Sequence, residues 1–274
     1  MIPSHGSPRA PRLVASDLDG TIVRSDGTIS ARTVAALGAV EAAGVPFVMV
    51  TGRPVRWMKQ ISEMTGHHGV AICANGALAY DLHSEQVVRS SPLSPAAARE
   101  VVAALREAVP GIAFAVERLH EGFAHEPTYR PRWDSSDARI EAPIDQLLTD
   151  DVVKLLARHE GIGSDELLAA ALATGVSGAT FTHSSGDGLL EMSAVGVSKA
   201  SGLAAFAADA GVAAEDVVAF GDMPNDLPML SWAGYAVAVA NAHPEVLAAA
   251  DFVTGSNDED GVADVLDRWF PAVD

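Results

Sequence analysis

Two carboxylates follow the first apolar segment of this sequence. The motif Asp17-Leu18-Asp19-Gly20-Thr21 comes directly after residues 13–15, a short apolar run typical of a buried strand. In open α/β sheets, ligands bind at the carboxyl ends of the strands. The two aspartates therefore indicate a ligand-binding or catalytic site. An acidic turn is the alternative explanation, because Asp and Gly are common turn formers.

Two further positions carry groups that suit a phosphate. Thr51 and Gly52 follow the predicted strand Phe47–Val50 and offer a hydroxyl and an unobstructed backbone amide. An N-cap is the alternative role for Thr51. Lys199 lies at the start of a predicted helix, where a positive charge is slightly unfavourable against the helix dipole. This mismatch favours a functional lysine over one that is merely solvated.

Strand-like and helix-like patterns alternate at both ends of the chain. The predicted strands are Leu13–Ser16, Phe47–Val50, residues 70–74, residues 217–220, residues 235–239 and a segment near residues 252–254. Ser30 and Ser198 are the predicted N-caps of two of the helices between them. This alternation predicts a parallel sheet with helices on both faces, built from both ends of the chain.

The middle of the chain has a different texture. Ser94 and Pro95 open a predicted helix, a second helix covers residues 164–172, and strand-like runs lie at residues 112–116, 152–156 and 179–183. We therefore predict an α/β fold: a doubly wound, Rossmann-like parallel-sheet core with an inserted α+β cap domain. The predicted boundaries are a flexible tail at residues 1–11, the core at residues 12–90 and 190–274, and the cap at residues 91–189.

Composition and charge exclude several classes of partner. The chain has 274 residues, of which 49% are hydrophobic, and a formal net charge of −18 that disfavours nucleic acid and anionic lipid. Its single cysteine, Cys73, cannot form an internal disulfide and fits a reducing cytoplasm. The sequence contains no uninterrupted apolar run of about 18 residues, so we expect a soluble protein without a membrane partner. The oligomeric state stays open.

Four motifs in this order resemble the haloacid dehalogenase superfamily, and within it the Cof-like phosphatases that have a large cap inserted after the third core strand. The resemblance spans nearly the whole chain. The motifs are Asp17-Leu18-Asp19-Gly20-Thr21, Thr51-Gly52-Arg53-Pro54, Gly196-Val197-Ser198-Lys199 and Gly221-Asp222-Met223-Pro224-Asn225-Asp226. The third motif departs from the family in one respect: it is followed by Ala200, so this chain has Lys199-Ala200 where the family often has Lys-Gly.

The resemblance implies a role for each matching residue. Asp17 would attack phosphorus and form an aspartyl phosphate, and Asp19 would act first as general acid and then as general base. Lys199 would supply positive charge to the phosphate and to Asp17. Thr51 and Gly52 would bind phosphate oxygens.

The resemblance also implies a magnesium ion as cofactor. Its ligands would be the carboxylates of Asp17 and Asp222 and the main-chain carbonyl of Asp19, because magnesium prefers hard oxygen ligands. Like charges placed this close together also require a compensating cation. Asn225 and Asp226 would form a supporting shell, or would cap the short helix that follows.

The expected function is hydrolysis of a small phosphorylated metabolite, such as a sugar phosphate or a cofactor phosphate, by a magnesium-dependent phosphatase. Two alternatives stay open: a phosphomutase or phosphotransferase acting on a sugar phosphate, and a phosphometabolite-binding module without turnover. The four charged residues at the ends of predicted strands and helices, Asp17, Asp19, Lys199 and Asp222, favour an enzyme.

Residues that read the substrate are expected in the insertion. The charged and proline-rich residues 126–143 are the predicted specificity loop. The candidates are His125, Arg130, Arg132, Trp133 and His183, with packing as the alternative role for Trp133. Asn75 and Gly76 either line the mouth of the site or form a tight turn that leads into a hairpin.

Overall fold

The protein forms two β-sheets with helices packed against them. The structure, a computed structural model, describes residues 9–65, 69–119, 122–132 and 140–271. Residues 1–8 of the predicted tail and Trp133 therefore lie outside the described residues. None of the helices in the described ranges is both long enough and apolar enough to cross a membrane.

The described elements follow one another along the chain with short connections. The strands are β1 (Leu13–Ser16), β2 (Phe47–Val50), β3 (Val70–Cys73), β4 (Leu78–Asp81), β5 (Gln86–Ser90), β6 (Ala113–Arg118), β7 (Gly122–His125), β8 (Ile140–Glu141), β9 (Val152–Arg158), β10 (Thr180–Thr182), β11 (Leu189–Ser193), β12 (Val217–Gly221), β13 (Tyr235–Ala238) and β14 (Phe252–Val253). The α-helices are α1 (Ala31–Ala42), α2 (Met58–Thr65), α3 (Pro95–Ala108), α4 (Ile144–Leu147), α5 (Ser164–Ala173), α6 (Lys199–Asp209), α7 (Leu227–Trp232), α8 (Pro244–Ala249) and α9 (Gly261–Leu266).

The larger sheet joins the two ends of the chain. Its strand order is β14-β13-β12-β1-β2-β3-β4-β5, parallel from β14 to β3 and antiparallel from β3 to β5. Helix α1 packs on α2 and α9, while α6 packs on α7 and α7 on α8, so two separate groups of helices accompany the sheet. β1, β2 and β12 are buried along their whole length, as expected for strands covered on both faces. The predicted doubly wound core is confirmed.

Serine N-caps begin the helices where the sequence predicts them. The side chains of Ser30, Ser94 and Ser198 accept hydrogen bonds from the backbone N–H groups three residues later. Ser198 and Ser201 also bond reciprocally, which makes a capping box at the start of α6. Because these caps fix the first turn of each helix, the position of Lys199 at the start of α6 is determined by local sequence.

The smaller sheet is built by the insertion, with strand order β10-β11-β9-β6-β7-β8. Its side chains alternate between two faces, as strands require. On β9, Leu155 and Ala157 join the apolar cluster that contains α3 and α5. Lys154 and Arg158 belong to the opposite face, together with Leu156, and line a cavity toward the core. The insertion therefore presents a charged face to the larger sheet.

The second domain boundary differs from the predicted one. The sequence pattern predicts that residues 190–193 belong to the core. In the structure, strand β11 (Leu189–Ser193) pairs antiparallel with β9 in the smaller sheet. The core resumes after Ser193, before α6. The physical reason is that the apolar run at residues 189–192 completes the sheet of the insertion, which pattern alone cannot distinguish from a core strand. That this insertion works as a cap stays a prediction.

A tight contact links the end of β3 to the start of α6. Gly76 lies in the turn between β3 and β4 with φ = +100°, and a Cβ placed on it would come within 2.0 Å of the carbonyl oxygen of Ser198. Only glycine combines this backbone conformation with so close an approach. The turn thereby holds the N-terminus of the helix that carries Lys199.

We expect Gly76→Ala to lower the free energy of unfolding by about 2 to 4 kcal/mol, since strain at positive φ adds to a backbone clash. Gly27→Ala is the matched control, because Gly27 has φ = +81° but nothing within 4 Å of its added Cβ. It should cost about 1 kcal/mol. Urea unfolding of the two variants measures both losses, and equal losses would contradict the role given to the Gly76–Ser198 contact.

Candidate active site

The predicted site residues converge at the carboxyl edge of four neighbouring strands. Asp17 follows β1, Thr51 follows β2, Asn75 follows β3 and Asp222 follows β12, and these strands are adjacent in the order β12-β1-β2-β3. Parallel strands bring their carboxyl ends to one edge of a sheet. Topology therefore gathers residues that are separated by more than 200 positions in the chain.

Lys199 makes the central ion pairs of this site. Its Nζ lies 2.6 Å from Asp17 Oδ1 and 2.6 Å from Asp226 Oδ1, and its side chain is 1% exposed. Burial alone would lower the pKa of Lys199, but the two carboxylates raise it above its ordinary value. The lysine is therefore firmly protonated, and its charge is directed at Asp17.

Asp222 is held in place by two neighbours. Its Oδ1 accepts a hydrogen bond from Thr21 Oγ1 at 2.9 Å. Gly20, with φ = +79°, leaves room for the other oxygen, because a Cβ at Gly20 would stand 2.4 Å from Asp222 Oδ2. Gly20 and Thr21 of the first motif thus determine where the Asp222 carboxylate lies.

Carboxylates outnumber cations in this cluster. Asp17, Asp222 and Asp226 each offer an oxygen within 4.8 Å of the others, and all three are buried. Burial raises the pKa of Asp17, and the neighbouring aspartates raise it further against the opposing effect of Lys199. Burial and then Asp226 raise the pKa of Asp222 to about 7. The cluster is thus suited to binding an additional positive charge, either protons or a cation.

Asp19 lies beside this cluster and pairs with Arg53. Arg53 Nε donates to Asp19 Oδ2 at 2.8 Å and Nη2 donates to Oδ1 at 2.5 Å, a two-pronged contact. The Asp19 side chain is 54% exposed and borders the cavity. Its carboxylate does not belong to the cluster of three aspartates. That Asp19 would contribute its main-chain carbonyl to a metal stays a prediction.

Thr51 and Gly52 form a compact loop after β2. The buried Thr51 Oγ1 accepts a hydrogen bond from the backbone N–H of Arg53 at 3.0 Å, so its own hydroxyl hydrogen can be donated elsewhere. Gly52 borders the cavity, next to Asp17 and Lys199. The loop can therefore present a hydroxyl and a backbone amide to an anion.

Asp226 and Asn225 are both buried, but they do different things. Asp226 Oδ2 accepts from the backbone N–H groups of Asp222 and Met223, each at 2.9 Å, which fixes the turn that carries Asp222. Asn225 Nδ2 donates to Asn75 Oδ1 at 3.0 Å, while Asn225 Oδ1 has no hydrogen-bond partner among the described residues. In the described part of the chain, the Asp226 side chain makes no cap hydrogen bond to α7, the short helix that follows, and its place in a supporting shell stays a prediction.

A cavity of about 310 Å³ lies between the two sheets, above the aspartate cluster. The core contributes Asp17, Asp19, Arg53 and Lys199 to its wall. The insertion contributes a second set of charged residues: Glu117, Lys154, Arg158, Asp187 and Glu191. The volume is sufficient for a small molecule, since small-molecule sites begin at about 300 Å³. A small anionic molecule bound there would have charged residues of both the core and the insertion as neighbours.

The substrate-reading candidates in the insertion do not line this cavity in the part of the chain that the structure describes. His125 Nδ1 contacts the carbonyl oxygen of Glu126, Arg130 bonds the carbonyl oxygen of Pro127, and His183 pairs with Asp165. Arg132 lies 3.5 Å from Asp187, which itself borders the cavity. Of the predicted specificity loop, residues 133–139 lie outside the described residues.

Sequence reasoning missed several residues of the site. Arg53 belongs to the motif Thr51-Gly52-Arg53-Pro54, and its place just after a predicted strand is the signal that indicates a site residue. Lys154 and Glu191 interrupt apolar strand runs, where a buried charge is rare unless it is paired. Their alternation with apolar neighbours on β9 and β11 was the signal that could have identified a polar face.

Comparison with known proteins places the chain in a family. Residues 14–266 match the family described as haloacid dehalogenase-like hydrolase, which is most of the chain. The chain therefore belongs to the haloacid dehalogenase-like hydrolases. The resemblance inferred from the four motifs is confirmed.

Relatives and solved structures agree with this assignment. A phosphoglycolate phosphatase from Methanothermobacter thermautotrophicus is 28% identical over 261 residues, covering 94% of this chain and 98% of that protein. The structure of BT1666 from Bacteroides thetaiotaomicron, a phosphatase of the HAD enzyme superfamily, has a TM-score of 0.78 at 25% identity and covers 98% of both chains. A chloroplastic endoribonuclease YBEY from Arabidopsis thaliana is 30% identical over 268 residues, but this chain spans only 45% of that protein.

We expect Lys199→Met to lower the free energy of unfolding by about 3 to 5 kcal/mol in the presence of a chelator, because it leaves two buried carboxylates without their cation. Lys59→Met, at an exposed position of α2, is the matched control and should change stability by less than about 0.5 kcal/mol. Chemical denaturation at neutral pH provides the measurement. A Lys199→Met variant as stable as the Lys59→Met control would rule out the electrostatic role of Lys199.

Proposed function

We propose that this chain is a magnesium-dependent phosphatase that hydrolyses small phosphorylated metabolites through an aspartyl phosphate on Asp17. One observation carries the proposal: Asp17 lies at the carboxyl end of β1, bonded to the buried Lys199, on the wall of a cavity large enough for a small molecule. A carboxylate held in this way needs no activating base to attack phosphorus. The hydrolase family of the chain supports the same reaction.

Each step of the reaction has a residue suited to it. A carboxylate oxygen of Asp17 attacks phosphorus, and the bond between phosphorus and the departing oxygen breaks. Asp19, on the cavity wall, gives its proton to that oxygen. Asp19 then takes a proton from a water molecule, whose oxygen attacks phosphorus and breaks the bond to Asp17. Inorganic phosphate leaves, and both aspartates return to their first state.

Lys199 and the Thr51 loop stabilise the charge that develops during these steps. Lys199 Nζ is fixed by two carboxylates and cannot move away from the phosphate position without losing both bonds. Preorganised donors of this kind lower the barrier because they need no reorganisation during the reaction. Thr51 and Gly52 contribute a hydroxyl and a backbone amide from the carboxyl end of the neighbouring parallel strand β2.

The residues present fit a magnesium ion. Asp17, Asp222 and Asp226 provide only oxygen ligands, which magnesium prefers, and burial together with the neighbouring aspartates raises the pKa values of Asp17 and Asp222. Asn225 Oδ1, buried and unpartnered among the described residues, is a further acceptor beside the cluster. Asp17, Asp222 and the main-chain carbonyl of Asp19 would hold the ion, with Asp226 and Asn225 around them. When bound, magnesium would neutralise charge on the transferring phosphoryl group.

The substrate class follows from the size and charge of the cavity. A volume of about 310 Å³ suits a molecule of metabolite size and does not suit a polymer. The net charge of −18 likewise disfavours a nucleic acid substrate. The relative named for phosphoglycolate acts on a small phosphorylated molecule, which supports the same class here.

We expect magnesium-dependent release of inorganic phosphate from an aryl phosphate and from members of a panel of sugar and cofactor phosphates. Chelator should abolish the release. A folded protein that releases no phosphate from any of them with magnesium present would contradict the proposal. Transfer of the phosphoryl group to a second sugar hydroxyl, detected by chromatography, would instead identify a phosphomutase.

Two substitutions serve as controls for the mechanism in the same assay. Asp17→Asn, nearly isosteric but without the anionic nucleophile, should lower kcat by about 10⁴-fold or more. Asp19→Asn should lower kcat by about 10² to 10⁴-fold and leave magnesium affinity largely unchanged, because only the side chain is altered. Retention of most activity in Asp17→Asn would exclude the aspartyl phosphate, and a large loss of magnesium affinity in Asp19→Asn would make its side chain a ligand.

Magnesium should stabilise the protein more at about pH 8 than at about pH 5. In the metal-free protein the folded pKa of Asp222 is raised to about 7, so its proton stabilises the fold at low pH and this stability is lost as pH rises through that value. Metal must displace this proton at low pH but not at high pH. Melting temperatures with magnesium and with chelator test this, and Asp222→Asn should reduce the pH dependence of the difference, leaving the part due to the raised pKa of Asp17.

A further inference from the structure

Four buried polar side chains form a continuous hydrogen-bonded series, the polar chain, that runs from the insertion to the core. None of the four residues has a catalytic role in the proposed reaction. Lys154 Nζ donates to Glu191 Oε1 at 2.8 Å, Asn75 Nδ2 donates to Glu191 Oε2 at 3.0 Å, and Asn225 Nδ2 donates to Asn75 Oδ1 at 3.0 Å. Lys154 and Glu191 belong to β9 and β11, whereas Asn75 and Asn225 belong to the core. All four residues are at most 4% exposed.

The chain of contacts ends on the loop that follows β2. Three consecutive carbonyl oxygens of this loop each accept a hydrogen bond. Those of Thr51 and Arg53 accept from the backbone N–H groups of Asn75 and Ala74, each at 3.0 Å. The carbonyl oxygen between them, that of Gly52, accepts from Lys154 Nζ at 2.5 Å. The core thus fixes two of the three carbonyls, and the insertion fixes the third.

The peptide that Lys154 holds is the one that orients the rest of the loop. Its carbonyl belongs to Gly52 and its N–H to Arg53, and that N–H donates to Thr51 Oγ1. Arg53 in turn grips Asp19 through both carboxylate oxygens. A rotation of this single peptide would therefore disturb the hydroxyl of Thr51 and the position of Asp19 together.

The close packing around Gly52 supports a positioning role. A Cβ added at Gly52 would lie 3.2 Å from Asn75 Oδ1, 3.7 Å from Glu191 Oε1 and 3.7 Å from Lys154 Nζ. The loop and the polar chain are therefore in direct contact along their length. Any retreat of the insertion would open this contact and leave the Gly52 carbonyl without its partner.

Stability alone does not explain the buried pair of Lys154 and Glu191. Moving two charges out of water costs free energy that their attraction only partly offsets, and apolar replacements are often as stable. Burial raises the pKa of Glu191, but Lys154 and the hydrogen bonds from Lys154 and Asn75 outweigh this and hold the pKa below its usual value. Glu191 is thus ionised, and its partners Lys154 and Asn75 contact the Gly52 loop or support it.

We propose that Lys154, fixed by Glu191, is a positioning residue of the insertion that completes the phosphate-binding loop by holding the Gly52 peptide. The loop then reaches its working geometry only when the insertion is closed over the core. Chemistry at Asp17 is thereby tied to closure, through one hydrogen bond rather than through contact with the substrate. This inference rests on the proposed phosphatase function for its kinetic consequences, but not for its structural ones.

The test uses the double variant Lys154→Met/Glu191→Gln in the full chain, since it removes the charge pair without leaving one charge buried alone. We expect kcat for an aryl phosphate to fall about 10- to 100-fold with KM changed less than about 3-fold, because misplacement of a catalytic group acts mainly on the chemical step. We also expect amides of residues 51–53 to exchange with deuterium at least about 10-fold faster than in the unaltered protein.

Arg56→Met is the matched control. Arg56 makes another ion pair between core and insertion, with both oxygens of Glu117, whereas the hydrogen bond to the Gly52 carbonyl comes from Lys154. The substitution removes the Arg56–Glu117 link between insertion and core and leaves the Lys154 donor of the Gly52 carbonyl in place. In the Arg56→Met variant, the amides of residues 51–53 should exchange with deuterium at the same rate as in the unaltered protein. If the double variant fails to fold, Lys154→Met/Glu191→Met, which replaces the pair by apolar side chains of similar length, should show the same changes.

The outcomes separate this inference from the proposed function. Unchanged exchange at residues 51–53, a rise in KM with kcat preserved, or equal effects in the Arg56→Met control would each overturn the positioning role. Absence of phosphate release from the unaltered protein would contradict the phosphatase, while the exchange measurement would still decide whether Lys154 holds the loop.

Discussion

The structure of the site depends on one electrostatic imbalance, three buried carboxylates around a single lysine. Asp17, Asp222 and Asp226 each approach the others within 4.8 Å, and Lys199 neutralises only one of their charges. Such a cluster is costly unless cations or protons complete it. The surrounding structure therefore has to hold the carboxylates together against their repulsion, which explains the rigid strand ends, the tight glycine contacts and the capped helix that carries the lysine.

The second constraint is that the site is shared between two sheets. The core supplies the aspartates and the lysine, and the insertion supplies a face with Glu117, Lys154, Arg158 and Glu191. Because strands alternate their side chains, the insertion can bury an apolar face against its own helices and present a charged face to the core with the same strands. The cavity between the sheets thus has charged residues on its core wall and on its insertion wall.

Local sequence was sufficient for most of the fold. The strands β1, β2 and β12, the serine caps of α1, α3 and α6, and the strand ends that carry Asp17, Thr51 and Asp222 were all predicted, because each depends on neighbouring residues. The sequence predicts the end of the insertion four residues too early, because an apolar run such as residues 189–192 has the same pattern in a core strand and in a strand of the insertion. Pairing between distant strands decides the sheet to which such a run belongs.

The sequence by itself determined which residues are candidates for the chemistry, since the motif order and the strand ends point to Asp17, Asp19, Lys199 and Asp222. Only the tertiary structure decided what surrounds them. The pairing of Arg53 with Asp19 and of Lys154 with Gly52 and Glu191 joins residues that are 34 to 102 positions apart. Contacts of this kind arise when two sheets face each other across a cavity, and no local pattern encodes that distance or orientation.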